Sequence, residues 1–192
     1  MTGDKKKGFG IHPEMLVGIS AVVIGVCALG VSLYETSLMR EEQRASVMPL
    51  VELSRSFYID GDESGEGTFL LKLNLENVGI GPARISDFRV TVDGQAQSTW
   101  RAAINALLGE DVTASYVQST INGRTVPTDR RVTMIELRDS DVARRVIDEF
   151  ERLDFEACFC SVFDECWTTS YSTFGAAEAV EACKVSDESF TE

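Results

Sequence analysis

Residues 15–34 (MLVGISAVVIGVCALGVSLY) carry no charged side chain and follow a short basic leader containing Lys5, Lys6 and Lys7. A helix rising about 1.5 Å per residue covers roughly 30 Å in that length, the thickness of a bilayer hydrocarbon core. A helix packed on a soluble domain would keep one polar face, and this stretch has none. It is longer than the apolar region of a cleavable signal peptide, and no small-x-small site follows it. Val26 stands directly before Cys27, where a lipidation signal needs a small residue. The reading is therefore a retained transmembrane helix, with residues 1–14 as its leader and the bilayer as its first partner.

Direction is harder to read than span. Three lysines precede the run, and Arg40, Arg44 and Arg55 follow it, so the positive-inside count is level. The lysines are contiguous, and four cysteines near the C-terminus suit an oxidising compartment. Both arguments place the N-terminus in the cytoplasm of a bacterial cell and the rest in the periplasm or outside. Ala21, Gly25, Ala28 and Ser32 fall on one stripe of the helix, a packing face for a second backbone. Residues 35–46 (ETSLMREEQRAS) are helix formers without Gly or Pro, a stalk that stops before Pro49.

From residue 35 onward the chain has 15 Lys and Arg against 29 Asp and Glu, a formal charge of −14. Such a surface repels phosphate backbones, so nucleic acid is not an expected partner. Alternation now replaces helical period. In residues 69–78 (FLLKLNLENV) apolar side chains interleave with Lys72, Asn74 and Glu76, and residues 85–92 alternate again up to the Asp93-Gly94 turn. With residues 47–59 these predict a three-stranded meander. Thr99 and Gly109 bracket a helix over 100–108, and Asp139 or Ser140 opens a second over 141–153. Residues 121–124 (INGR) predict a hairpin turn, with a strand near 131–137. Residues 155–163 and 166–172 form a last hairpin, and the acidic tail 184–192 is expected to fray. The fold class is mainly β with two short helices, a sandwich spanning 47–183 behind the anchor.

Residues 73–94 (LNLENVGIGPARISDFRVTVDG) resemble the Ig-like β-sandwich modules of bacterial surface proteins, particularly the CARDB-type adhesion family. Asn77, Gly79, Gly81, Pro82 and Ala83 carry the likeness, followed by the Asp93-Gly94 turn. The resemblance implies an Ig-like binding or spacer domain without catalysis.

The search for chemistry points the same way. The single histidine, His12, lies in the leader, so Ser-His and Cys-His catalysis are excluded from the domain. No P-loop or dinucleotide fingerprint occurs. Asp60, Asp62, Ser64 and Glu66 resemble the first half of a calcium loop, but the twelfth position is Leu71, so any calcium binding there is weak and no other cofactor is expected. Cys158 and Cys160 point to one face of a strand, and a short loop sets Cys160 opposite Cys166, leaving Cys158 for Cys183. Neither zinc-finger spacing nor Cys-x-x-Cys is present, so the expected role is two structural disulfides. These readings combine into a membrane-anchored accessory or assembly module that binds another membrane or envelope protein. A membrane-anchored thiol-redox or hydrolytic enzyme is the competing class.

Overall fold

In the computed structural model, which describes residues 13–61, 67–173, 176–185 and 190–191, the chain divides into two units, Met1–Ala45 and Ser46–Glu192. Among the described residues the first is one continuous helix, α1 (Pro13–Ala45), long and apolar enough to cross a membrane. None of its residues is buried within the unit. Three of its hydroxyls bond within the helix: Ser20, Thr36 and Ser37 donate to the Val17, Ser32 and Tyr34 carbonyls at 2.7–2.8 Å. Back-bonding of this kind lets a polar side chain sit in an apolar helix without an outside partner.

The second unit holds two antiparallel sheets around one hydrophobic core. β1 (Val51–Gly61), β2 (Gly67–Asn77), β7 (Arg130–Leu137) and β5 (Tyr116–Gln118) line up in the order β1-β2-β7-β5. The other sheet runs β10 (Glu178–Val180), β9 (Cys166–Ser170), β8 (Leu153–Cys160), β3 (Ala83–Val92), β4 (Gln95–Gln97), with β6 (Thr125–Val126) also on β3. Leu71, Leu73 and Leu75 of β2 and Phe88 and Val90 of β3 are buried in that shared core, the positions their alternation assigns to an inner face. The closing helices α2 (Trp100–Leu108) and α3 (Ser140–Asp148) add Trp100, Ile104, Leu107, Val142 and Val146 to it.

Four expectations need correction. The meander does not form: β2 pairs with β1 and β7, whereas β3 belongs to the other sheet. The chain changes sheets through residues 78–82. Asn77 organises that crossing, accepting from the Leu50 and Gly79 N–H groups and donating to the Gly81 and Val126 carbonyls. The Asn122-Gly123 turn is real, with Gly123 at φ +74°, but it too leads from one sheet to the other, because β5 pairs with β7 and β6 with β3. The second helix ends at Asp148 rather than 153. Phe150–Arg152 tightens into a 3-10 turn and Leu153 starts β8, where pairing with Val92 satisfies its backbone as a helix end could not. Residues 190–191 of the tail are docked, although Lys184 and Val185 are exposed: Phe190 is buried, and its N–H and that of Thr191 donate to the Phe88 and Ser98 carbonyls.

On the wet face of the first sheet, Glu136 lies 3.0 Å from Lys72 and 2.8 Å from Arg138. The hydrogen bond from Lys72, then that from Arg138, holds its carboxyl below the usual range. A carboxylate depressed in this way contributes stability above its unfolded value of about 4.3, and that contribution is lost as pH falls. We therefore expect Glu136→Gln to melt below the unsubstituted protein at neutral pH. The gap should close below about pH 4, and a gap independent of pH would exclude the ion pairs as its origin.

Candidate functional site

Residues from four strands and a returning segment meet on the outer face of the second sheet. Register builds it in rows. Arg84, Cys160, Cys166 and Val180 form one row across β3, β8, β9 and β10, and Asp87, Cys158, Thr168 and Glu178 form the next. A bulge at Ser86 makes the second row possible, because the register slips between Ile85 and Asp87 and brings Asp87 opposite Cys158. Inward-facing neighbours hold the strand down, with Phe159 stacked on Trp167 at 5.9 Å and Phe155 on Tyr171 at 5.0 Å.

After Val180 the chain turns back across this face and carries Cys183 to Cys158. The bonded pairs are Cys158–Cys183 and Cys160–Cys166, with Cα separations of 5.6 and 4.0 Å. The two pairs also touch: the Cys160 and Cys183 sulfurs are 3.6 Å apart, and Ser86 Oγ stands 3.8 Å from the Cys160 sulfur. Beneath the returning segment lies an open cavity of about 690 Å³, lined by Asp87, Arg89, Cys158, Thr168, Val180 and Lys184 among others. Asp87 is only 2 % exposed, and Arg89 bridges it to Glu156, its Nε 3.2 Å from Asp87 Oδ2.

No family model, curated protein or solved structure matches this chain. Ala21, Gly25, Ala28 and Ser32 all lie on α1, exposed within their unit, and a Cβ at Gly25 would meet nothing within 4 Å. Asp60 pairs with Thr68 in the β1–β2 ladder, whereas Asp62, Ser64 and Glu66 fall outside the described residues. Asp87 and Ser86 carry no signal in the sequence. A bulge leaves no periodic signature, and the returning segment cannot be placed from spacing alone.

A second feature occupies the end of the domain where the chain leads into β1. The loops preceding β1, joining β2 to β3 and joining β8 to β9 all lie there, since Val51 pairs with Asn77 and Arg84 with Cys160. They expose Met48, Val78, Ile80, Val162 and Phe163, with Ile80 at 70 %.

Proposed function

We propose that the protein is a single-pass, membrane-anchored binding module, an accessory or assembly subunit of a bacterial envelope complex. α1 serves as the anchor with its N-terminus in the cytoplasm, and the two-sheet domain works as an Ig-like module in the periplasm or outside the cell. The observation that carries this reading is α1 itself: 33 helical residues with a 20-residue uncharged stretch and no buried side chain. Such a helix in water would leave its whole apolar surface wet. The exposed apolar loops around Ile80 support binding, and His12 being the only histidine in the chain supports a role without Ser-His or Cys-His catalysis.

Three measurements test this reading. The full chain should stay with membranes through alkaline carbonate extraction, and loss into the soluble fraction would remove the anchor. After reduction, a membrane-impermeant maleimide should label the domain cysteines in intact cells, whereas labelling only after lysis would reverse the orientation. Crosslinking in intact membranes should trap a second envelope protein, and Ile80→Asp with Phe163→Asp should cut that product about tenfold or more, as expected for anchor residues of an interface. Recovery of monomer alone from the unsubstituted chain would count against an assembly role.

A further inference from the structure

We infer that the four domain cysteines form, in their reduced state, a zinc-binding site on the outer face of the second sheet. The sulfurs of Cys160, Cys166 and Cys183 all lie within 4.8 Å of one another, and Cys158 is joined to Cys183. A tetrahedral zinc site with Zn–S bonds of about 2.3 Å separates its sulfurs by about 3.8 Å. The non-bonded Cys160 and Cys183 sulfurs already stand at 3.6 Å, one edge of such a tetrahedron. Opening the two bonded pairs to that spacing moves each sulfur by about an ångström, and Cys158, which lies outside the group of three, must rotate further to close the tetrahedron.

The surroundings match what such a metal needs. Cys158, Cys160 and Cys166 are buried and Cys183 is half-buried, so water competes little for the fourth position. Ser86 Oγ, 3.8 Å from the Cys160 sulfur, is placed to donate to a thiolate, the outer-shell support that ligands of a bound ion require. The cavity under residues 180–184 reaches Cys158 and gives the ion a path from solvent. Lys184 lines that cavity, and a cation there offsets the double negative charge that four thiolates and one zinc ion leave behind. Linear spacing hides all of this, because the fourth ligand arrives on a segment that crosses back over the sheet.

The interconversion balances with a thiol reductant. Each disulfide takes up two electrons and two protons from two small-molecule thiols, which couple to each other as their own disulfide. Zinc then displaces the four sulfhydryl protons to solvent and binds four thiolates. The site is thus closed to metal while oxidised and open to it once reduced, whichever side of the membrane the domain occupies.

The test uses the full chain in detergent micelles with Cys27, the one free cysteine among the described residues, replaced as Cys27→Ser. After reduction with a phosphine and anaerobic desalting, cobalt(II) is titrated as the probe. We expect one cobalt ion per chain, with the sulfur-to-metal charge-transfer band and strong visible absorption of a tetrahedral thiolate complex. One equivalent of zinc should abolish both, and the oxidised chain should bind no cobalt. Cys183→Ser should weaken binding more than about tenfold. Absence of binding by the reduced chain, a weak octahedral spectrum, or undiminished affinity in Cys183→Ser would each overturn the site. The titration of the reduced chain with its domain cysteines intact decides the matter even if the Cys183 variant fails to fold. Zinc found with four free thiols in protein isolated without oxidant would support it further.

Discussion

Replacing Phe190 by Ala should destabilise the domain by about 3–5 kcal/mol, the range for removing a buried aromatic side chain from a packed core. Phe190 lies third from the end of the sequence, yet its ring is 2 % exposed. It meets Trp100 edge-on at a centroid distance of 5.0 Å and Phe88 at 5.7 Å. Its backbone donates to the Phe88 carbonyl, and the Asn122 amide donates to the Phe190 carbonyl. On β3 this contact falls between the stretch paired with β6 and the stretch paired with β4, so the tail fills an edge that neither short strand covers. The Cys158–Cys183 bond holds the chain seven residues upstream, which raises the effective concentration of the tail at its slot. Urea unfolding of the full chain in micelles would measure the loss, and Trp100 emission should shift to the red as water reaches its ring. Thr191→Ala, removing only an exposed hydroxyl bond to the Ser98 carbonyl, should cost less than about 1 kcal/mol. Equal midpoints for Phe190→Ala and Thr191→Ala would show that the docked ring adds nothing.

What the sequence conveyed and what it withheld separate along one physical line. Local chemistry was legible. Thr99 does cap α2, its Oγ1 accepting from the Ala102 N–H at 3.1 Å, and Gly109 ends that helix at φ +71°. The alternation in β2 and β3 assigned the buried apolar residues of each strand, but not the buried Asn74, which it put on the wet face, nor Asp87. Partner choice was not legible, because a period of two is the same whichever sheet a strand joins. Hence β2 and β3 read as neighbours although they lie in different sheets. The bulge at Met134 is a second instance: Met134 and Ile135 are both buried, which a strict alternation forbids. Phe150 and Leu153 fitted a helical face equally well, and only pairing with β3 decides that Leu153 extends. In the site, the short β8–β9 connection pointed to Cys160 opposite Cys166, but nothing in the spacing brings Cys183 within 3.6 Å of Cys160. The tail held one usable signal, an aromatic residue closing an acidic stretch that has no other reason to carry one.

The other large effect is expected at Asn77, where the chain leaves one sheet for the other. Its side chain is fully buried, and all four of its hydrogen bonds are to backbone: Leu50 N–H at 3.2 Å, Gly79 N–H at 3.1 Å, the Gly81 carbonyl at 2.8 Å and the Val126 carbonyl at 3.0 Å. Asn77→Ala leaves two donors and two acceptors unmatched away from water, and at roughly 1 kcal/mol or more for each the total loss is about 3–5 kcal/mol. Asn77→Asp should be at least as damaging, since it keeps the acceptor for Leu50 and Gly79 but turns a second oxygen on the two carbonyls. The neighbouring glycine tests the same crossing sterically. A Cβ on Gly81 would stand 1.8 Å from the Val47 carbonyl oxygen, too close for any heavy atom, so Gly81→Ala must displace the segment leading into β1. Ile80 and Val78 ride on this crossing, their N–H groups bonded to the Met48 and Leu50 carbonyls. Loss of the crossing should therefore lower both the unfolding midpoint and the yield of the crosslinked envelope partner, whereas Ile80→Asp lowers the yield alone. An Asn77→Ala protein with an unchanged midpoint would mean that water or a rearranged loop replaces all four bonds, and the crossing would then not be what holds the two sheets in register.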